Sequence, residues 1–121
     1  MQTPDKIAED YIAVWNETDA AERRRRLAQG WASDASYADP LMAAAGHGDI
    51  AAMIEGARAQ FPGFAFALIG TPDAHGDFVR FSWKAGPNGG DSLIEGTDVV
   101  KLAPDRRIAT VIGFLDKAPA A

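Results

Sequence analysis

The spacing of apolar residues changes once along this chain, at Pro62-Gly63. Upstream, apolar residues recur three and four positions apart; downstream, they recur at every second position. A helix turns once per roughly 3.6 residues, whereas a strand alternates faces with each residue. The spacing therefore predicts helices in the first half and a sheet in the second.

Three helices are expected. Thr3-Pro4-Asp5 starts the first, with a capping hydroxyl, a proline at the first helical position and an acid behind it. Ile7, Ala8, Tyr11, Ile12, Val14 and Trp15 form its apolar face. Tyr11 lies on that face, and a buried phenol needs a polar partner. Asp19-Ala20-Ala21-Glu22 reads as a capping box for the second helix, which carries Arg23 to Arg26, Leu27, Ala28 and Trp31. Four consecutive arginines encircle a helix, so they read either as a solvated surface or as a phosphate or partner patch. Ile50, Met53, Ile54, Ala57 and Phe61 mark the third helix, capped by Gly48 or Asp49 and stopped by Pro62-Gly63.

Strands follow at Phe64 to Leu68, Phe78 to Ala85, Ser92 to Leu102 and Ile108 to Leu115. Turns at Thr71 to Asp77, Gly86 to Gly90 and Ala103 to Arg106 separate them. The tail from Lys117 to Ala121 is expected to fray. Three helices followed by four antiparallel strands make an α+β fold in which helices close over a curved sheet. Apolar residues of the sheet, among them Phe64, Phe66, Phe78, Phe81, Trp83 and Phe114, occur at both parities. Both faces must then be covered, one by helices and the other by a second copy of the chain, so a homodimer through the sheet is expected.

Between the second and third helices lies Trp31 to Pro40, which delivers Asp39 to a strand end. Pro40 biases Asp39 toward an extended backbone and cannot continue a ladder. A carboxylate there is either a turn former or a base facing a cavity. In the third strand, Ile94, Gly96, Asp98, Val100 and Leu102 share one face. Asp98 thus sits mid-strand among apolar neighbours, where an unpaired charge is very costly. It is paired, with Arg80 as one candidate, or bonded to backbone, or protonated and able to donate. Tyr11, Asp39 and Asp98 together form a kit for moving a proton beside a carbonyl: one base and two donors for the enolate oxygen. Trp15 and Trp83 read as core or cavity wall. His47, between glycines, either lines a cavity mouth or bonds backbone at the helix start.

The chain of 121 residues is expected to be one domain, residues 1–121, with no internal linker. It has no cysteine, which excludes disulfides, thiolate metal sites and a cysteine nucleophile. His47 and His75 do not form a metal-binding spacing, so no metal and no cofactor are expected. A net charge of -5 argues against nucleic acid as a partner. No apolar run approaches a membrane span and no signal peptide is evident at the start, so the expected location is the cytoplasm.

These motifs resemble the nuclear transport factor 2-like superfamily, and within it the SnoaL-like group and the ketosteroid isomerases. The resemblance is carried by Tyr11-Ile12-Ala13-Val14-Trp15-Asn16, by Trp31-Ala32-Ser33-Asp34-Ala35 with Tyr37-Ala38-Asp39-Pro40, by His47-Gly48, and by Thr97-Asp98-Val99-Val100-Lys101-Leu102 with Arg107-Ile108. It covers nearly the whole chain. It implies a cone: three N-terminal helices packed on a strongly curved, mainly antiparallel sheet, with an apolar pocket at the open end. It also implies Asp39 as base, Tyr11 as phenol donor and Asp98 as protonated acid, with Trp15, Trp31, His47 and Phe114 as pocket residues. The further tyrosines that support the donor in some isomerases are replaced here, at positions matching Trp31 and about Ile54. The expected function is a cofactor-independent isomerase or polyketide-cyclase-like enzyme acting on a small apolar carbonyl compound. The alternative is a non-catalytic small-molecule-binding or dimerisation module on the same fold.

Overall fold

Residues 3–88 and 90–118 are described by the structure, a computed structural model. Helix α1 spans Pro4–Asn16 and α2 spans Ala20–Gly30. Strand β1 (Trp31–Ala38) and the short β2 (Ala43–Ala45) precede α3 (His47–Gln60). Strands β3 (Phe64–His75), β4 (Phe78–Pro87), β5 (Ile94–Leu102) and β6 (Ile108–Lys117) follow. The six strands form one open sheet in the order β2-β1-β6-β5-β4-β3. Every neighbouring pair is antiparallel except β1 and β6. Three helices on this bent sheet give the α+β cone, as expected.

The helix starts follow their capping residues. Thr3 Oγ1 accepts from Lys6 N at 3.1 Å with Pro4 in the first turn, and Asp19 Oδ2 accepts from Glu22 N at 2.9 Å. A helix end leaves carbonyls without partners, and two arginines cover those of α1. Arg23 Nη2 donates to Glu17 O, and Arg58 Nη1 donates to Trp15 O at 2.7 Å. The Asn16 side chain then clamps α1 to the sheet edge, donating to Phe66 O at 2.9 Å and accepting from Phe66 N at 2.8 Å. The arginine run divides accordingly. Arg23 is buried, Arg24 is exposed, and Arg25 and Arg26 pair with Glu22 and Glu17.

Several boundaries differ from the expectation. Helix α2 stops at Gly30, so Trp31 opens a strand rather than closing a helix; glycine is a poor helix former and tryptophan suits a strand. Sheet strands therefore begin in the first half, and the sheet has six strands rather than four. Helix α3 starts at His47 after Gly46, whose φ of 83° only glycine adopts freely. Strand β3 runs through Thr71 to His75, into the expected turn, with an irregular register around Gly70 (φ 68°). The expected frayed tail falls partly on residues 119–121, which lie outside the described residues.

The core lies between helices and the concave face of the sheet. There Tyr11 stacks on Trp31 at 5.7 Å between ring centroids and meets Phe81 edge-on at 4.9 Å. Among the described residues no helix is long and apolar enough to cross a membrane.

Candidate functional site

Asp98 sits on the inward face of β5, and is 2 % exposed. Tyr11, delivered by the apolar face of α1, donates its hydroxyl to Asp98 Oδ2 at 2.5 Å. Trp83 Nε1, from the neighbouring β4, donates to Asp98 Oδ1 at 3.2 Å. Trp83 pairs with Gly96 in the ladder, and its indole lies flat over that glycine: a Cβ there would meet Trp83 Cζ2 at 2.5 Å. The absent side chain lets the indole reach two residues along β5. Arg80, the candidate counter-ion, faces the opposite side of the sheet and pairs with Asp73 at 3.1 Å. Asp98 is therefore held by a phenol and an indole, not by a cation.

Asp39 follows β1 directly. Its Oδ1 accepts from Leu41 N at 2.8 Å and Met42 N at 3.0 Å, and its own N donates to Met42 O at 2.9 Å. It thus shapes the turn into β2. Its Oδ2 accepts from Tyr37 Oη at 2.6 Å. Ala38 pairs with Ile112, and Asp98 with Gly113, so Asp39 and Asp98 flank Gly113 on adjacent strands. A Cβ on Gly113 would lie 2.9 Å from Asp98 Oδ1 and 3.1 Å from Asp39 Cβ. The two carboxyl groups lean over the bare backbone of that glycine.

Both groups open on one cavity of about 80 Å³, walled by Trp15, Phe61, Phe64, Phe66, Met42 and other apolar residues. Drug-sized ligands fill pockets of roughly 300–1,000 Å³. A molecule held wholly inside this one is smaller. Anything larger extends through the mouth, where the lining residues Leu41 and Phe114 are 75 % and 55 % exposed. Trp15 is buried, and its indole N–H faces the Tyr11 hydroxyl without a hydrogen bond of ordinary geometry. Tyr11, Trp15, Asp39, Asp98 and Phe114 all line the cavity; Trp31 and His47 do not. Trp31 is walled off behind Tyr11, and His47 Nε2 lies 2.9 Å from Trp31 O, tying the start of α3 to the backbone of β1. Among the described residues no group of three His, Asp or Glu is placed to hold a metal ion.

Burial pushes the Asp98 carboxyl up to about 6, and the nearby charges of Asp39 and Asp116 add to this; the bonds from Tyr11 and Trp83 hold it back. Burial, and then the Asp98 charge, push the Tyr11 phenol well above the ordinary phenol range. Burial, the Asp98 charge and the bond to Asp39 raise Tyr37 in the same way. Both phenols keep their protons at neutral pH. Asp98 exchanges its proton within the range where water chemistry runs, the property a general acid needs.

Tyr37 was not expected at this site, and Trp83 was expected as core or cavity wall but not as a donor to Asp98. Tyr37 stands two positions before Asp39, and the two-residue period already puts both on one side of β1. Trp83 shares the inward parity of β4 with Phe81, but which β5 residue it meets depends on ladder register, which composition does not specify.

A family model for the SnoaL-like domain matches residues 8–111. No functionally curated protein matches the sequence. Among solved structures, a protein from Agrobacterium tumefaciens, named provisionally as an isomerase of the SnoaL-like family, is 51 % identical, with a TM-score of 0.91 over 95 % of this chain and 99 % of that one. An NTF2-like protein of unknown function from Cytophaga hutchinsonii has the same fold at 14 % identity, with a TM-score of 0.69 over 96 % of this chain and 92 % of that one. A Sinorhizobium meliloti protein, provisionally named a polyketide cyclase, is 18 % identical, with a TM-score of 0.70 over 88 % of this chain and 92 % of that one. By the extent of the family match and its likeness to the Agrobacterium protein, this chain belongs to the SnoaL-like domain family.

Proposed function

We propose that the chain is a cofactor-independent acid/base enzyme that moves a proton beside the carbonyl of a small, largely apolar compound, as an isomerase or a cyclase. The carrying observation is the pair of carboxyl groups flanking Gly113 in one apolar cavity, one bonded to Tyr37 and backbone, the other to Tyr11 and Trp83. In this reading Asp39 removes the proton next to the carbonyl. When Asp98 carries its own proton it donates to Tyr11 Oη, which frees the Tyr11 O–H for the developing enolate oxygen. Asp39 then returns the proton to the product carbon. The provisional name of the Agrobacterium relative agrees with this chemistry. The test is conversion of a β,γ-unsaturated cyclohexenone to its conjugated isomer, followed by absorbance. Loss of a general base costs about two to four decades, so Asp39→Asn is expected to lower turnover by that much with the fold intact.

A second reading is a non-catalytic binding module. It is favoured by the donors to Asp39, which include two amides of its own turn and so also account for the residue as a turn cap. An absence of turnover on any such ketone, with the ligand still bound, selects it.

We also propose a homodimer through the convex face of the sheet, where Phe78 on β4 and Ile112 on β6 are 41 % and 44 % exposed, and a cytoplasmic location. Light scattering is expected to give twice the chain mass; a monomer at micromolar concentration contradicts the dimer.

A further inference from the structure

We infer that the compound taken by this cavity is an organic anion, a carbonyl compound that also bears a carboxylate, and that Arg58 on α3 binds that carboxylate. The inference names the substrate class of the site above and rests on the proposed chemistry for the reacting end alone.

Arg58 is half-buried and lines the cavity beside Phe61, Phe64 and Phe66. Arg25, Arg26, Arg80, Arg106 and Arg107 each have a carboxylate within 4.0 Å; among the described residues Arg23, Arg24 and Arg58 have none, and of these three only Arg58 lines the cavity. Its role at the end of α1 takes up one N–H, from Nη1 to Trp15 O. A guanidinium has five. Burial and the positive charge of Arg23 both work against its ionised form. A cation kept at an apolar wall without a counter-ion is costly, and a bound carboxylate is the partner whose geometry the guanidinium fork matches.

The Trp15 indole N–H turns to the Tyr11 hydroxyl rather than to Arg58, which leaves the guanidinium as the cavity's donor at the α3 wall. At the far side of the ligand, Asp39 and Asp98 repel a carboxylate. The anion therefore seats at α3 and presents its carbonyl to Tyr11 and Asp98, in one orientation only.

The test uses the whole chain with levulinate and its neutral amide, levulinamide, as probes. Calorimetry reads affinity, and the Trp15 indole N–H resonance reports on occupancy of the cavity. A charge-assisted contact is expected to favour levulinate over the amide by about tenfold. Arg58→Gln, which keeps a donor for the Trp15 carbonyl, is expected to abolish the preference; Arg58→Lys is expected to keep most of it. Equal affinities of the wild type for the two probes, binding of neither, or an unchanged preference in a folded Arg58→Gln overturns the inference. If Arg58→Gln fails to fold, the Arg58 Nε–H resonance of the wild type decides: no shift on adding levulinate overturns the inference. Asp39→Asn separates the two proposals. Turnover lost with the preference kept supports both, and a preference without turnover in the wild type leaves the anion site standing while the catalytic reading falls.

Discussion

Replacing Gly113 by alanine puts a methyl carbon 2.9 Å from Asp98 Oδ1 and 3.1 Å from Asp39 Cβ. Both separations lie inside the roughly 3.5–4.0 Å of favourable contact between non-bonded carbons. The neighbours cannot simply give way. Asp98 is held through one oxygen by Tyr11 at 2.5 Å and through the other by Trp83 at 3.2 Å. Asp39 is held by Tyr37 at 2.6 Å and by the two amides of its turn. Overpacking of such a site costs about 1–3 kcal/mol, against about 0.5–1 kcal/mol that alanine gains over glycine inside a strand. The balance is a loss of about 1–2 kcal/mol, or a fall in Tm of roughly 3–10 °C for a chain of this size. Thermal and urea unfolding with an unchanged m-value measure it. A Gly113→Ala variant as stable as wild type, or more stable, refutes the placement of both carboxyl groups over this backbone.

Other predictions follow from the same geometry. Asp98 is expected to titrate near 6, read by its side-chain carboxyl carbon in NMR; a value at or below about 4, the ordinary carboxyl range, contradicts its burial. Because its folded pKa is raised, the folded protein keeps this proton while the unfolded chain releases it. Stability from this group is full below about 4 and is lost as pH climbs through about 6, by on the order of 3 kcal/mol. Unfolding of wild type against Asp98→Asn across that window is expected to show a slope in wild type only. The isomerisation rate, if donated by the neutral acid, is expected to fall above about 6 with the same group; a rate flat through this range removes Asp98 as the donor. Tyr37→Phe removes one of three donors to Asp39 and is expected to cost about 1–2 kcal/mol in urea unfolding; unchanged stability denies that bond.

Much of this arrangement is legible in the residue order, and for identifiable reasons. The two-residue period of Ile94 to Leu102 put Asp98 on the more apolar face of its strand, and the helical period of Ile7 to Trp15 put Tyr11 on the apolar face of its helix, because both periods are local. Asp39 is marked by the proline after it. What stayed hidden is non-local. The parallel pairing of β1 with β6 joins Trp31 to Ile108, and nothing near either residue specifies it. That pairing brings Asp39 beside Gly113, so the closeness of the two carboxyl groups depends on it. The three alanines of β2 carry no pattern at all. Trp31 carries helical spacing from Leu27 and yet lies in a strand, since Gly30 ends the helix one residue earlier. Arg58 carries no signal in the residue order, and only the end of α1 packing against it makes it a wall of the cavity.

Proton removal by Asp39 is most directly observed as deuterium entering a ketone from heavy water, since this reads the proposed step whatever product forms. Wild-type protein is expected to exchange the hydrogens next to the carbonyl at a rate that Asp39→Asn lowers by about two to four decades, with both proteins folded. Equal exchange by the two proteins, or none above background by the wild type, contradicts the acid/base account.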